Sequence, residues 1–193
     1  MACSHKNTIL FGRLYLKEKQ ALRWLDTAVE NQYGVEVKRI IFVCTGNTCR
    51  SPMAEALLKA RMPEGWRDKV DVSSAGIFAW DGEPASASAV DVLADMGIDL
   101  STHRARHLTP EIVASADLLV VMTEEHARFV REMDPSAAGK VLMLGELDPN
   151  REEVDIYDPI AGHRTVYAAS RDEIDRLVES LIRYISDNFN FSK

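Results

Sequence analysis

The apolar positions of this chain fall into two kinds of pattern, short unbroken runs and repeats spaced three or four residues apart. Arg39-Ile40-Ile41-Phe42-Val43 is a continuous β-branched and aromatic run, the pattern of a strand buried on both faces. Val70-Asp71-Val72-Ser73 predicts a second strand, Leu118-Leu119-Val120-Val121-Met122 a third, and Lys140-Val141-Leu142-Met143-Leu144 a fourth. Helical patterns lie between them. Ser51 is placed to cap a helix with Pro52 at its first position, and Met53, Ala56, Leu57 and Ala60 share one face. A second helix is predicted over Ala85–Met96, stopping at Gly97. In the last helix Ser170 and Glu173 have the spacing of a capping box, and Ile174, Leu177, Val178, Leu181, Ile182 and Ile185 mark its buried side. Strands alternating with helices predict an α/β fold, a parallel sheet covered by helices.

Residues 1–36 sit outside this pattern and read as an N-terminal extension. There Leu14, Ala21, Leu22, Leu25, Ala28 and Val29 fit one side of a helix ending at Gly34. The sequence leaves three uses for it open: docking on the domain, contact with a partner, or absence from the native product if translation starts later. The alternating pattern assigns 37–187 to one domain and 188–193 to a C-terminal tail.

Composition narrows the class. A chain of 193 residues is enough for one compact domain, and 46% hydrophobic with 27% charged residues is ordinary for a globular protein. A formal net charge of −7 argues against nucleic-acid or anionic-membrane partners, while leaving room for a local basic pocket. Three cysteines, Cys3, Cys44 and Cys49, make no disulfide framework, so a reducing, cytoplasmic location is expected. The early apolar run is broken by Arg13 and lacks a signal-peptide layout, and no stretch approaches membrane-span length. No repeat or low-complexity segment stands out, and the five histidines are scattered, with no metal cluster visible.

The candidate chemistry lies in Cys44-Thr45-Gly46-Asn47-Thr48-Cys49-Arg50-Ser51, between the first strand and the first helix. Such a loop gathers backbone N–H groups around the helix N-terminus, where an anion is favoured. Gly46 lets the backbone turn and approach a ligand, and Asn47 tolerates left-handed geometry while its amide pins the loop. The same field is expected to lower the pKa of Cys44 and favour its thiolate. Arg50 has the reach to hold two phosphate oxygens with its planar fork, and Ser51 to donate a hydrogen bond to Cys44. A thiolate attacking phosphorus while the equatorial oxygens are held suits phosphoryl transfer. The plain alternative is a buried structural thiol at a strand end.

With these residues in view, the sequence closely resembles the low-molecular-weight protein phosphatase family. The match runs from Ile41 to Glu55, then through Ser73-Ser74-Ala75-Gly76, Gly97-Ile98, His103-Arg104-Ala105-Arg106 and Asp158-Pro159, covering about 37–187. The resemblance implies a four-stranded parallel sheet flanked by helices on both faces, with the phosphate loop between first strand and first helix. It implies Cys44 as nucleophile, Arg50 as transition-state clamp and Asp158 as general acid, with Thr45, Gly46, Asn47, Thr48, Cys49 and Ser51 around the phosphate. Asn47, Ser51, Ser74 and His103 match a hydrogen-bond network that supports the loop, and Trp80 matches an aromatic at the pocket rim. No cofactor or metal is implied. Cys49 is placed to trap Cys44 as a disulfide under oxidation, or to serve as an inert small residue.

Two departures from tyrosine-specific members bear on substrate. Thr48 stands where those enzymes usually carry Ile, and bacterial protein-arginine phosphatases share the string Cys-Thr-Gly-Asn-Thr-Cys-Arg-Ser found here. Ile160-Ala161 follows Asp158-Pro159, so the aromatic clamp that often follows the acid is missing. The resemblance therefore implies phosphoarginine in protein substrates ahead of phosphotyrosine. An arsenate reductase would need a further cysteine downstream of Cys49, and there is none. A non-catalytic phosphoprotein-binding module would be expected to lack the nucleophile or the acid. Oligomeric state is not legible.

Overall fold

The computed structural model describes residues 37–189 and Phe191; the helix expected within 1–36 lies outside them. Among the described residues one sheet is formed by Lys38–Cys44 (β1), Val70–Gly76 (β2), Leu118–Val121 (β3) and Val141–Met143 (β4). All neighbours are parallel, in the order β2-β1-β3-β4. Helices Arg50–Arg61 (α1), Ala87–Ala94 (α2), Pro110–Ser115 (α3), Glu124–Met133 (α4) and Arg164–Asn188 (α5) connect and cover the strands.

Strand geometry assigns the side chains of β1 to two cores. Ile40, Phe42 and Cys44 point to one face and pack with Met53, Leu57, Val92, Leu93, Leu177, Val178 and Leu181 of α1, α2 and α5. Ile41 and Val43 point to the other, with Leu119, Val121, Val113, Ala127 and Val130 of β3, α3 and α4. Both faces of β1 are thus dry, which accounts for its unbroken apolar run. Each fully buried aliphatic side chain contributes about 1.5–3 kcal/mol by leaving water. The α/β class, the four parallel strands and the helices on both faces are as the sequence predicts.

Several element ends differ from expectation. Helix α1 begins at Arg50 with Cys49 as its N-cap, so Ser51 lies inside the first turn and its hydroxyl serves elsewhere. Ala60, expected on the buried face of α1, is exposed; Ala54 and Leu58 are buried in its place beside Met53 and Leu57. The Ala85–Met96 helix shortens to α2, capped by Ser86, whose side chain accepts from Ala89 N. Gly97, with φ at 73°, then turns the chain away. The fourth strand keeps only Val141–Met143 because the segments on either side form 3-10 turns. Ser170 and Glu173 are no capping box: α5 starts at Arg164, Ser170 is buried within it, and Glu173 pairs with Arg151. Beyond its C-terminal end Phe191 packs against Trp66 with ring centroids 4.9 Å apart and planes tilted by 40°, and the Phe191 carbonyl accepts from Lys69 Nζ.

In this strand order the chain leaves β1 toward β2 and later crosses to β3 on the other side. Beyond the carboxyl ends of β1 and β3 lies the switch point, where open α/β sheets bind ligands.

Candidate active site

Cys44 ends β1, and the following loop is fixed by its carbonyls. Those of Cys44 and Thr45 accept from Ile77 N (3.0 Å) and Phe78 N (2.9 Å), that of Thr48 from Ser86 N (2.9 Å). His103 Nε2 donates to the Asn47 carbonyl at 2.8 Å. In a trans peptide each N–H points opposite to the preceding C=O. With these carbonyls tied outward, the N–H groups of Thr45, Gly46, Thr48 and Cys49 are turned to the opposite side, as an anion-binding loop requires.

Asn47 is fully buried at a φ of 54°, a left-handed conformation that Asn tolerates better than most residues. All its polar groups are engaged. Nδ2 donates to Ser51 Oγ (2.8 Å) and Ser74 Oγ (2.9 Å), and Oδ1 accepts from Arg106 N (2.9 Å). Ser74 Oγ donates in turn to Glu55 Oε2 at 2.6 Å. Arg106 also holds the Ser74 carbonyl and the Ser73 hydroxyl, each at 2.6 Å. The structure therefore brings Asn47, Ser51, Ser74 and His103 together, and adds Glu55 and Arg106, which the sequence reading did not single out. Gly76 is required for this arrangement, since a Cβ there would lie 2.6 Å from Thr45 O and 2.8 Å from Asn47 N. Gly46 is not crowded: a Cβ would meet only Thr48 Oγ1, at 3.6 Å. No crowding within the protein demands glycine there.

Cys44 Sγ is buried, 2.9 Å from Ser51 Oγ, and accepts from Asn47 N at 3.3 Å. Ser51 Oγ accepts from Asn47 Nδ2, and of the two acceptors within reach of its hydrogen the sulfur is the nearer, with Ala75 O at 3.5 Å. The expected fall in the Cys44 pKa is not the net outcome here. Burial pushes the thiol up, against smaller downward pulls from the Ser51 hydroxyl, the Arg50 charge and the Asn47 amide. The loop stabilises the thiolate, but the dry site beneath it costs more.

Arg50 is held between this loop and the segment ahead of α5. NH1 donates to Ile156 O at 3.1 Å, and NH2 donates to Thr45 Oγ1 at 3.2 Å and to Asp158 Oδ2. Its Nε is buried without a hydrogen-bond partner among the described residues. Asp158 Oδ1 in turn accepts from Ile160 N, the turn geometry of an Asp before Pro. A cleft of about 570 Å³ opens beside this pair, lined among others by Thr45, Arg50, His126, Asp155, Tyr157 and Asp158.

His126 was not foreseen as part of this site. Its Nε2 lies 3.0 Å from Thr45 Oγ1 and its Nδ1 2.9 Å from Thr123 Oγ1, the N-cap of α4. Burial, aided by the nearby Arg50 charge, lowers its pKa to about 4 against a smaller upward pull from Asp155, so the ring is neutral at pH 7. The available signal was Thr123-Glu124-Glu125, a capping residue with two acids in the first turn, which predicts a helix start after β3.

Other expected site residues are less engaged. Cys49 is buried, with its sulfur near Tyr167 OH (3.3 Å) and Ser86 Oγ (3.4 Å), and both Cys44 and Cys49 are free thiols. Thr48 Oγ1 leans 3.6 Å from Cys49 Sγ. Trp80 is 80% exposed on the turn after β2 and does not line the cleft beside Arg50. No helix among the described residues is long and apolar enough to cross a membrane.

Comparison with known proteins agrees with this geometry. The family model of the low molecular weight phosphotyrosine protein phosphatase matches residues 39–190. A Ralstonia nicotianae protein described as "Probable low molecular weight protein-tyrosine-phosphatase EpsP" is 42% identical over 76% of this chain and 94% of its own. The protein-arginine-phosphatase of Geobacillus stearothermophilus is 42% identical over 74% of this chain and 93% of its own. The structure of the YwlE arginine phosphatase from the same organism superposes with a TM-score of 0.70 at 38% identity, covering 80% of this chain and 99% of that one. Loop, sheet and relatives converge: the chain belongs to the low molecular weight phosphotyrosine protein phosphatase family and is a cysteine-dependent protein phosphatase.

Proposed function

We propose that this protein removes phosphate from phosphoarginine in cytoplasmic proteins, with Cys44 as nucleophile, Arg50 as clamp and Asp158 as general acid. In the first step the Cys44 thiolate forms an S–P bond, the P–N bond to the guanidino group breaks, and Asp158 gives its proton to the departing nitrogen. In the second, Asp158 as carboxylate takes a proton from water, the water oxygen bonds to phosphorus, and the S–P bond breaks. The sulfur leaves as a thiolate that Ser51 and the Asn47 amide receive.

One observation carries this reading: Arg50 bridges the loop around Cys44 and the carboxylate of Asp158 in a single hydrogen-bonded unit. A bound phosphate would compete with Asp158 for the guanidinium, and the buried Nε supplies a further donor for it. Asp158, displaced from the guanidinium by that phosphate, is then free to meet the departing nitrogen.

Thr48 supports the guanidino substrate, because a hydroxyl at this loop position tolerates a polar leaving group where an isoleucine arm would favour a phenyl ring. A second reading, phosphotyrosine, draws on the exposed aromatic faces of Trp80 and Tyr157, 80% and 71% accessible, which suit ring stacking. Purified protein assayed on phosphoarginine and phosphotyrosine peptides decides between them. The phosphoarginine peptide is expected to have the higher kcat/KM, and Thr48→Ile to move the ratio toward phosphotyrosine by about tenfold, the scale of one pocket contact. A wild-type preference for phosphotyrosine refutes the arginine assignment, and a ratio unmoved by Thr48→Ile refutes the role of Thr48.

A further inference from the structure

The ends of β1 and β3 are joined by a chain of side-chain hydrogen bonds that ends on the clamp. Thr123 Oγ1 meets His126 Nδ1 at 2.9 Å, His126 Nε2 meets Thr45 Oγ1 at 3.0 Å, and Arg50 NH2 donates to Thr45 Oγ1 at 3.2 Å. Arg50 has only donors, so Thr45 must offer it a lone pair. The guanidinium charge beyond Thr45 favours the tautomer whose own lone pair faces it, with Nε2 bare and Nδ1–H donating to Thr123. Nε2 then accepts a hydrogen bond from the Thr45 hydroxyl and fixes the rotor of that hydroxyl.

This link matters most during the chemical step. In the described structure the guanidinium has three protein anchors, Ile156 O, Thr45 Oγ1 and Asp158. Once Asp158 serves the leaving group, Ile156 and Thr45 remain. A Thr45 hydroxyl without an acceptor of its own is free to swing its proton toward the guanidinium and lose the contact.

We propose that His126 is a positioning residue for phosphoryl transfer: its Nε2 orients the Thr45 hydroxyl, and Thr45 in turn holds Arg50 in place for the phosphate oxygens. The inference rests on the phosphatase reading above. Neutrality of the ring at working pH agrees with it, because a protonated imidazole would have to donate to Thr45 beside a second cation.

The test contrasts two amides. In His126→Asn the side chain reaches the Nδ1 position but not Thr45; in His126→Gln the carbonyl reaches the Nε2 position and accepts the Thr45 proton. With p-nitrophenyl phosphate as substrate, His126→Asn and Thr45→Val are each expected to lower kcat/KM about tenfold, the scale of one hydrogen bond to a charged group. His126→Gln is expected to stay within about threefold of wild type, and the Thr45→Val/His126→Asn double variant to fall no further than either single one. Thermal unfolding of each variant checks that the fold is retained; should His126→Asn unfold, His126→Gln and Thr45→Val still read the two ends of the link. A double variant down about a hundredfold, or Gln as damaging as Thr45→Val, overturns the inference alone. Wild-type protein that does not turn over p-nitrophenyl phosphate or phosphopeptides overturns the phosphatase reading as well.

Discussion

Replacing Ser51 by alanine removes one oxygen from beneath the nucleophile and leaves most of the loop's scaffold in place. Asn47 keeps its bonds to Ser74 and Arg106, and His103 still holds its carbonyl. What is lost is the hydroxyl 2.9 Å from Cys44 Sγ, the strongest of the groups that pull the thiol down against burial. A hydrogen bond to a charged group is worth about 1.5–3 kcal/mol. Its loss raises the Cys44 pKa further, and that energy corresponds to about ten- to a hundredfold in the balance of thiolate against thiol. The sign follows from the thiolate being the form that Ser51 stabilises. At any pH below the midpoint the thiolate population therefore falls about ten- to a hundredfold, and the first chemical step slows with it. The assay is the ultraviolet absorbance of the thiolate as a function of pH, with Cys44→Ser subtracted to remove Cys3, Cys49 and the tyrosines. A Ser51→Ala curve superposed on the wild-type curve, with the fold intact, would refute the assignment of Ser51 as thiolate donor.

Further outcomes follow from the same contacts. Gly76→Ala places a methyl 2.6 Å from Thr45 O and 2.8 Å from Asn47 N, so the loop must shift; kcat/KM should fall about a hundredfold, in line with a misplacement near 1 Å. Wild-type kinetics in that variant would show that the loop tolerates the displacement. His126, at about 4 in the folded protein against 6.5 for the free side chain, binds a proton more readily when unfolded. Its contribution is fully present above pH 6.5 and lost as pH falls toward 4. His126→Gln should lessen the decline in unfolding free energy across that window by about 2–3 kcal/mol, read from denaturant midpoints at several pH values. Parallel curves for the two proteins would contradict the neutral buried ring.

The parts of this fold legible in the sequence are those where local pattern and tertiary role coincide. β1 is buried on both faces, so its apolar run announces both strand and position, and Cys44–Ser51 sits where strand passes into helix. The loop network was legible only through family resemblance, since Asn47, Ser74 and His103 lie far apart in the chain and meet by folding alone. The sequence pattern misplaces the start of α5 because His163 caps it without a side-chain bond, while Ser170 and Glu173 imitate a cap about two turns further on. Ala60 fits the helical repeat but faces solvent on the last turn of α1, while Ala54 and Leu58 take the buried side. Helices α3 and α4 passed unmarked because each buries little: Val113 in one, His126, Ala127 and Val130 in the other. His126 itself could not be read from spacing, since its partner Thr45 lies 81 residues away. The net direction of the Cys44 pKa depends on how dry the strand end is, which no loop motif records.

The central claim is that a phosphoryl group passes through the sulfur of Cys44. Asp158→Ala, given a phosphorylated substrate whose leaving group needs no proton, should stall after the first step because water lacks its base. Rapid acid quench followed by peptide mass spectrometry is then expected to find phosphate on the peptide bearing Cys44, and none when Cys44 is replaced by alanine. Phosphate on another side chain, or steady turnover with Cys44 absent, would contradict the account.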